Sequence, residues 1–306
     1  MRGHLMEIRC NLCPRHCNAL RTDTEGLGFC RSPLIPQVNL IAPHFGEEPV
    51  ISGTHGSGTV FFEGCSLGCI FCQNHKISCG LSGKAIPMKA EVLADRYLEL
   101  EDSGVHNINL VTFMHYAPEV ARSIETARAL GLKIPVVANI SGYEEVSTLK
   151  MLDGLIDIYL SDMKFYSQAV SSELAHAPDY FMKTCLATDE MVRQTGDIVM
   201  DGRDPDHPLL LKGTIVRHLM LPGYLFDSKH ILDYLVSRYG NKIYISLMNQ
   251  YTPPAELMDK LPARLRRTVP AGHYRQLTDY LMELGQTNAF VQESDASGNE
   301  FLPEFR

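Results

Sequence analysis

Long apolar runs are missing from this sequence. No stretch approaches the ~18 consecutive apolar residues of a membrane-spanning helix, so no membrane partner is expected. A basic stripe is missing too: the formal net charge is −8, with Lys and Arg outnumbered by Asp and Glu. Nucleic acid is therefore not an expected partner. Residues 1–9 lack the apolar middle of a signal peptide. No internal repeats and no low-complexity segments interrupt the chain. Cysteine is too sparse for a disulfide scaffold, at nine in 306 residues, and the number is odd. Seven of the nine fall in two tight groups, at residues 10–30 and 65–72. In a chain without an export signal such groups read as metal sites rather than disulfides. A cytoplasmic location is the corresponding expectation.

What is present suffices for a large core. Hydrophobic residues make up 45% of the 306, enough for one large domain with a small appendage. The first cysteine group, Cys10, Cys13, Cys17 and Cys30, has the spacing C-x2-C-x3-C-x12-C. Pro14, Gly26 and Gly28 suit tight loops around a metal. Four thiolates fit zinc, and they fit a second iron–sulfur cluster equally well. Residues 32–58 are rich in Pro and Gly with little periodicity and read as an ordered loop or linker. Within it, Glu47 and Glu48 read as a solvated turn. The expected domains are thus a cysteine-rich module with its linker at 1–58, a main domain at 59–292 and a polar tail at 293–306.

From Thr59 onward, apolar strands alternate with helices. Strands are expected at 59–62, 107–112, 134–138, 155–160, 214–221 and 242–247. Helices are expected at 88–103, 118–130, 144–152 and 179–194, then one capped by Ser228 and one at 274–284. The 179–194 helix is expected to bury Phe181, Cys185, Thr188 and Val192, with Cys185 as packing. Such alternation makes a parallel sheet with right-handed crossovers, and six units predict an α/β fold with a partial (β/α)6 TIM-like barrel. Chemistry then gathers at the carboxyl ends of the strands. Arg217 is a charge inside an otherwise apolar strand and must face solvent or a polar interior.

The second cysteine group, Cys65-Ser-Leu-Gly-Cys69-Ile-Phe-Cys72, follows the first of these strands. Iron–sulfur clusters are usually held by four thiolates. Three thiolates leave one iron without a protein ligand, free to bind a substrate. With Cys79 as a fourth ligand the cluster would be closed and would only carry electrons. Gly64 and Gly68 allow tight backbone folding there.

This constellation resembles the radical S-adenosylmethionine (SAM) superfamily. The C-x3-C-x2-C loop after the first strand, with Phe71 before its last cysteine, carries that likeness. Within the superfamily the chain is most similar to uncharacterised iron–sulfur proteins described as pyruvate formate-lyase activating enzyme-like. That similarity includes the Cys10–Cys17 segment, His44 to Pro49, Cys72-Gln-Asn74, His115-Tyr, Asp162-Met-Lys164, Val216 to Gly223, and Ser246 to Tyr251. The resemblance implies a 4Fe-4S cluster on Cys65, Cys69 and Cys72. It also implies reductive cleavage of SAM and hydrogen abstraction by a 5′-deoxyadenosyl radical. By the same resemblance, main-chain atoms around Phe71 receive adenine, and Asp162, Lys164 and Arg217 lie at the SAM site. Thr112 and His115 line its methionine end.

A reductant such as flavodoxin or ferredoxin is implied, with a glycyl-radical enzyme as a candidate protein substrate. The chain departs from the activating enzymes in having Thr112-Phe-Met-His115 in place of Gly-Gly-Glu, and in lacking a ferredoxin-like insertion. Simpler roles are a helix cap and a solvated amine for Asp162 and Lys164, a barrel ion pair for Arg217, and a satisfied core histidine for His115. Two other functions compete: radical chemistry on a small molecule or peptide, and an iron–sulfur electron carrier without SAM chemistry.

Overall fold

A computed structural model describes residues 8–80 and 82–292. The expected tail, 293–306, lies outside the described residues. The chain opens with a small antiparallel hairpin of β1 (Ile8–Cys10) and β2 (Ala19–Arg21). Then come β3 (Gln37–His44), α1 (Pro49–Ser52), β4 (Ser57–Phe62), α2 (His75–Ser78), β5 (Ile86–Pro87) and α3 (Ala90–Asp102). The middle of the chain runs β6 (Ile108–Val111), α4 (Ala117–Leu130), β7 (Val136–Ile140), α5 (Val146–Lys150), β8 (Ile158–Asp162), α6 (Gln168–Ala175) and α7 (Tyr180–Thr195). It closes with β9 (Val199–Asp201), β10 (Leu209–Leu219), α8 (Leu225–Tyr239), β11 (Tyr244–Met248), α9 (Ala271–Glu283) and β12 (Ala289–Val291).

Beyond the hairpin, the strands make one sheet in the order β12-β11-β10-β8-β7-β6-β4-β3-β5, with β9 paired to β10. Every pairing from β4 to β12 along this path is parallel, while β3 is antiparallel to β4 and β5. The fold is α/β, and the sheet curls into a partial barrel. Six of the parallel strands match the expected ones, with starts displaced by up to a few residues. The short strand β12 extends the sheet on one edge and β3 with β5 on the other.

Burial is nearly continuous along the parallel strands, with all six positions of β4 buried, as a parallel sheet covered on both faces requires. On the outer face, Leu93, Tyr97 and Leu100 of α3 and Val120, Ile124 and Ala127 of α4 pack on Val60, Ile108, Leu110, Val136 and Ala138. Farther round, Ile231 and Leu235 of α8 and Leu277 and Leu281 of α9 pack with Val216, Ile245 and Leu247. The opposite face carries Val137, Ile158, Leu160 and Ile215, which close on Val50 and Ile51 of α1.

Above that apolar floor lies a buried charge cluster. Arg217 donates from Nε to Glu48 Oε1 at 2.8 Å and from Nη2 to Glu48 Oε2 at 2.5 Å, and Nη2 also reaches Glu47 Oε2. The other oxygen of Glu47 accepts from Asn109 Nδ2 at 2.9 Å and Asn139 Nδ2 at 3.3 Å. Adjacent strands are ~4.8 Å apart, so β6 and β10, three ladders apart, would stand ~14 Å apart in a flat sheet. One carboxylate touching side chains from both fits a sheet that wraps around it.

Several expectations are corrected here. Residues 37–44 and 49–52 are not a linker but a strand and a helix of the barrel. Glu47 and Glu48 are not a solvated turn: Glu48 is 7% exposed and both carboxylates bind Arg217. Helix α7 buries Tyr180, Thr184, Ala187, Thr188 and Met191, whereas Phe181, Cys185 and Val192 are half-buried. Ser228 lies inside α8, with Tyr224 as the capping residue.

The charge cluster sets a stability prediction. Burial alone would raise the Glu48 carboxyl, but Arg217 beside it holds it below the usual value. A carboxylate lowered on folding stabilises the protein above its unfolded-state pKa of ~4.3, and that contribution is lost as pH falls through the lower folded value. Denaturant unfolding of wild type should therefore show a loss of stability below about pH 4.3 that Glu48→Gln lacks. Arg217→Met, which strands two buried carboxylates, should lower the unfolding free energy at neutral pH by ~3–5 kcal/mol.

Candidate functional site

Strand β4 delivers the chain directly into Glu63-Gly64-Cys65. Gly64 has φ +90° and Gly68 has φ +63°, a region L side chains rarely adopt. Both glycines also make room for the N-terminal module. A Cβ on Gly64 would collide with Ser32 Oγ and lie 2.9 Å from the Cys30 carbonyl, and one on Gly68 would lie 2.9 Å from the Phe29 ring. The loop is tied down by main-chain bonds from Gly64 N–H to Ile77 O at 2.9 Å, Ile70 N–H to Leu174 O at 2.9 Å and Cys72 N–H to Cys69 O at 3.1 Å. Gln73 Nε2 donates to the carbonyls of Gln250 and Thr252, each at 3.4 Å. Phe71 is buried, edge-on to Phe165 and Tyr251 at 6.1 Å each.

Cys65, Cys69 and Cys72 are free and partly exposed. Burial of the sulfurs nevertheless pushes the Cys65 thiol up to about 11 and raises Cys69 and Cys72 as well. The three are close enough to raise one another: Cys72 acts on Cys65, and both act on Cys69. Lys164 opposes this at Cys69 and Cys72. Desolvated thiols of this kind become thiolates when metal charge replaces the missing solvent.

Among the described residues no three His, Cys, Asp or Glu side chains converge as a single metal ion requires. A 4Fe-4S cluster makes no such demand, because its ligands sit at separate corners of a cube. Three desolvated thiols within eight residues of a glycine-bent loop fit that group.

Asp162 ends β8 and Lys164 follows it, with Nζ donating to Asp162 Oδ2 at 2.5 Å. Burial alone would lower Lys164, but Asp162 and Cys69 hold it above its usual value, so it is a cation at the edge of the cysteine loop. Tyr180 fixes this segment: its hydroxyl donates to Ser141 O at 2.9 Å and accepts from Lys164 N–H at 3.0 Å. In register, Arg217 is the β10 partner of Asp162, which brings the strand-end residues together. The expected ligand-binding Arg217, however, already has its Nε and Nη2 on Glu47 and Glu48.

His115 is buried and neutral, lowered to about 3 chiefly by burial. Its Nε2–H donates to Glu63 O at 2.9 Å, so it braces the base of the cysteine loop. Thr112 adopts φ +59°, an uncommon shape for a β-branched residue. Its N–H donates to Asn139 O at 2.9 Å.

In the N-terminal group, Cys10 and Cys13 are buried, Cys30 is partly buried and Cys17 is exposed. Burial pushes Cys13 up to about 12, with Cys30 and Cys10 adding to it. Among the described residues these four thiols do not converge as a single zinc ion requires, a demand that the alternative, a second iron–sulfur cluster, does not make.

The sequence reading missed Glu144, which follows β7. Burial raises its carboxyl to about 8, so it is largely protonated at neutral pH, and it hydrogen-bonds Ser141 Oγ at 3.0 Å. It lies within electrostatic reach of Cys13, Cys65 and Asp162. Its place just past a strand end was the available signal, but an acid in Tyr143-Glu-Glu145 reads like any solvated turn.

No protein-family profile matches the chain. An uncharacterized protein of Methanocaldococcus jannaschii is 28% identical over 250 residues, covering 80% of this chain and 66% of that protein. Streptococcus suis SuiB bound to S-adenosylmethionine aligns with a TM-score of 0.46 at 15% identity, over 75% of this chain and 48% of SuiB. The FeFe-hydrogenase maturase HydG from Carboxydothermus hydrogenoformans aligns at 0.45 and 16% identity, over 79% of this chain and 61% of HydG. The chain thus spans less than two thirds of each. At such scores the site is left to be read from this chain's own residues. No helix among the described residues is long and apolar enough to cross a membrane.

The tight seat of Gly64 can be tested. Gly64→Ala forces a side chain at φ +90° against Ser32 and Cys30, and should destabilise the apoprotein by on the order of 1–3 kcal/mol in denaturant unfolding.

Proposed function

We propose that this chain is a radical SAM enzyme. The carrying observation is the placement of three desolvated thiols within eight residues on the loop after β4, with the Asp162–Lys164 ion pair at the end of β8 within electrostatic reach of Cys69. Cys65, Cys69 and Cys72 would hold three irons of a 4Fe-4S cluster. When bound, that cluster supplies the electron that cleaves SAM and releases a 5′-deoxyadenosyl radical.

The protein's own contributions follow from its residues. Lys164 and Asp162 present a cation and a carboxylate on one rim, suited to the carboxylate and amino groups of SAM. Phe71 packs with Phe165 and Tyr251 in the apolar core under the loop, which fixes the main-chain groups around it that would receive the adenine. Thr112 lies at the neighbouring strand ends, and His115 acts from beneath by holding Glu63. Arg217, neutralised by Glu47 and Glu48, shapes the polar layer under the site. Orientation and exclusion of water are what these groups supply.

The finer reading is activation of a glycyl-radical enzyme, with flavodoxin or ferredoxin as reductant. It is supported by the sequence resemblance around Asp162-Met-Lys164 and Val216 to Gly223. The N-terminal quartet would hold a second metal centre on the spacing of its thiols alone.

A closed electron-carrier cluster has one observation in its favour: Cys79 lies within electrostatic reach of Cys72. Anaerobic reconstitution with iron and sulfide, reduction and addition of SAM separates the two. Wild type and Cys79→Ala should both form 5′-deoxyadenosine, and Cys69→Ala should form none. Loss of the cluster in Cys79→Ala, or no 5′-deoxyadenosine from wild type, would favour the carrier. If a mixture with glycyl-radical enzymes never shows the doublet of a glycyl radical, the substrate is a small molecule or peptide.

A further inference from the structure

The N-terminal cysteine module touches the Cys65–Cys72 loop through two side chains. Arg15 lies between Cys13 and Cys17, and its guanidinium is committed to carbonyl oxygens. Nε donates to Ser66 O at 2.9 Å and Nη2 to Leu67 O at 2.8 Å, both inside the loop. Nη2 also donates to Ala175 O at 2.7 Å, and Nη1 donates to His176 O, at the C-terminus of α6. Those last carbonyls of a helix have no partner within it and carry its negative end. The one cation thus fastens the loop to α6, whose Leu174 carbonyl accepts from Ile70 N–H of the same loop.

Phe29 precedes Cys30, the last thiol of the quartet. Its ring centroid lies 4.1 Å from the guanidinium carbon, and the ring covers Gly68. The Cys30 carbonyl and Ser32 abut Gly64. Each turn that carries quartet thiols therefore ends in a side chain resting on the loop. These turns are set by local geometry: His16 N–H donates to Cys13 O at 3.0 Å, and His16, Asn18 and Arg31 all take left-handed φ values. Arg15 and Phe29 are thus contacts through which a change in the quartet would reach the loop.

We infer that Arg15 and Phe29 are positioning residues through which the N-terminal cysteine module sets the shape of the Cys65–Cys72 loop. The guanidinium fork matters as well as its charge, since a lysine ammonium cannot reach the same spread of carbonyls at once. The coupling stands on apoprotein contacts and holds whether or not SAM chemistry follows.

Hydrogen exchange on the full-length apoprotein tests this. In Arg15→Ala, amides of residues 66–72 and the last turn of α6 should exchange about tenfold faster, the scale expected for lost charge-assisted hydrogen bonds. Amides of β11 should keep their wild-type rates. Arg15→Lys and Phe29→Ala should move the same segments in the same direction, and Cys13→Ser, a change in the quartet itself, should do so too. Reconstituted Arg15→Ala should retain less iron in the loop cluster, read by its visible absorption. Unchanged loop exchange in Arg15→Ala overturns the inference. So does a uniform rise that includes β11, full rescue by lysine, or a Cys13→Ser effect confined to residues 8–31. Absence of 5′-deoxyadenosine with the local exchange pattern intact would instead count only against the proposed function.

Discussion

Glu47 joins strands that a flat sheet would hold apart. Its carboxylate accepts from Asn109 on β6 and Asn139 on β7 and binds Arg217 on β10. Glu48 takes the rest of the guanidinium. Three charges taken out of water are costly, and the cost is offset only because each has partners nearby. The arrangement explains why residues 37–58 belong to the barrel. Strand β3 must pair on the edge of β4 so that the following turn can carry both glutamates inward. Helix α1 then closes the apolar floor beneath them with Val50 and Ile51. With the centre of the barrel spent on this polar layer, ligand chemistry is left to the strand ends above it.

At those strand ends the cysteine loop is held from two directions. The barrel supplies β4, the Lys164 cation and the His115 brace below Glu63. The N-terminal module supplies Arg15, Phe29, Ser32 and the Cys30 carbonyl. Gly64 and Gly68 are what allow both to press on eight residues of chain. The loop geometry thus belongs to the module as much as to the barrel, which gives the first cysteine group a structural reason to accompany the second.

Much of the architecture was legible in the sequence. Six apolar strands separated by amphipathic helices announced a parallel sheet, because both periodicities are strong in long, covered elements. The stripes Leu93-Tyr97-Leu100 and Val120-Ile124-Ala127 are buried as read. Thr188 on α7 is buried as read, but the rest of that face was misread because Thr184 and Ala187 are small or hydroxylated and give a weaker apolar signal than Phe181 and Val192. Glu47 and Glu48 were misread for a related reason: two adjacent acids before a proline look like a solvated turn, and their partner lies 169 residues away. Arg217 showed the other half of that pair, since a charge within an apolar strand had to face solvent or a polar interior. The cysteine spacing singled out the loop on which the proposed chemistry rests. Tyr180, Glu144 and Arg15 act through long-range contacts to backbone or to other buried groups, which no local pattern encodes.

The central claim is that the fourth iron of a cluster on Cys65, Cys69 and Cys72 is left open for SAM. Electron–nuclear double resonance on reduced, reconstituted protein with SAM isotopically labelled in its amino and carboxylate groups addresses that claim directly. Hyperfine coupling from both labels to the cluster spin is expected. A cluster spin with no coupling to either label would contradict it.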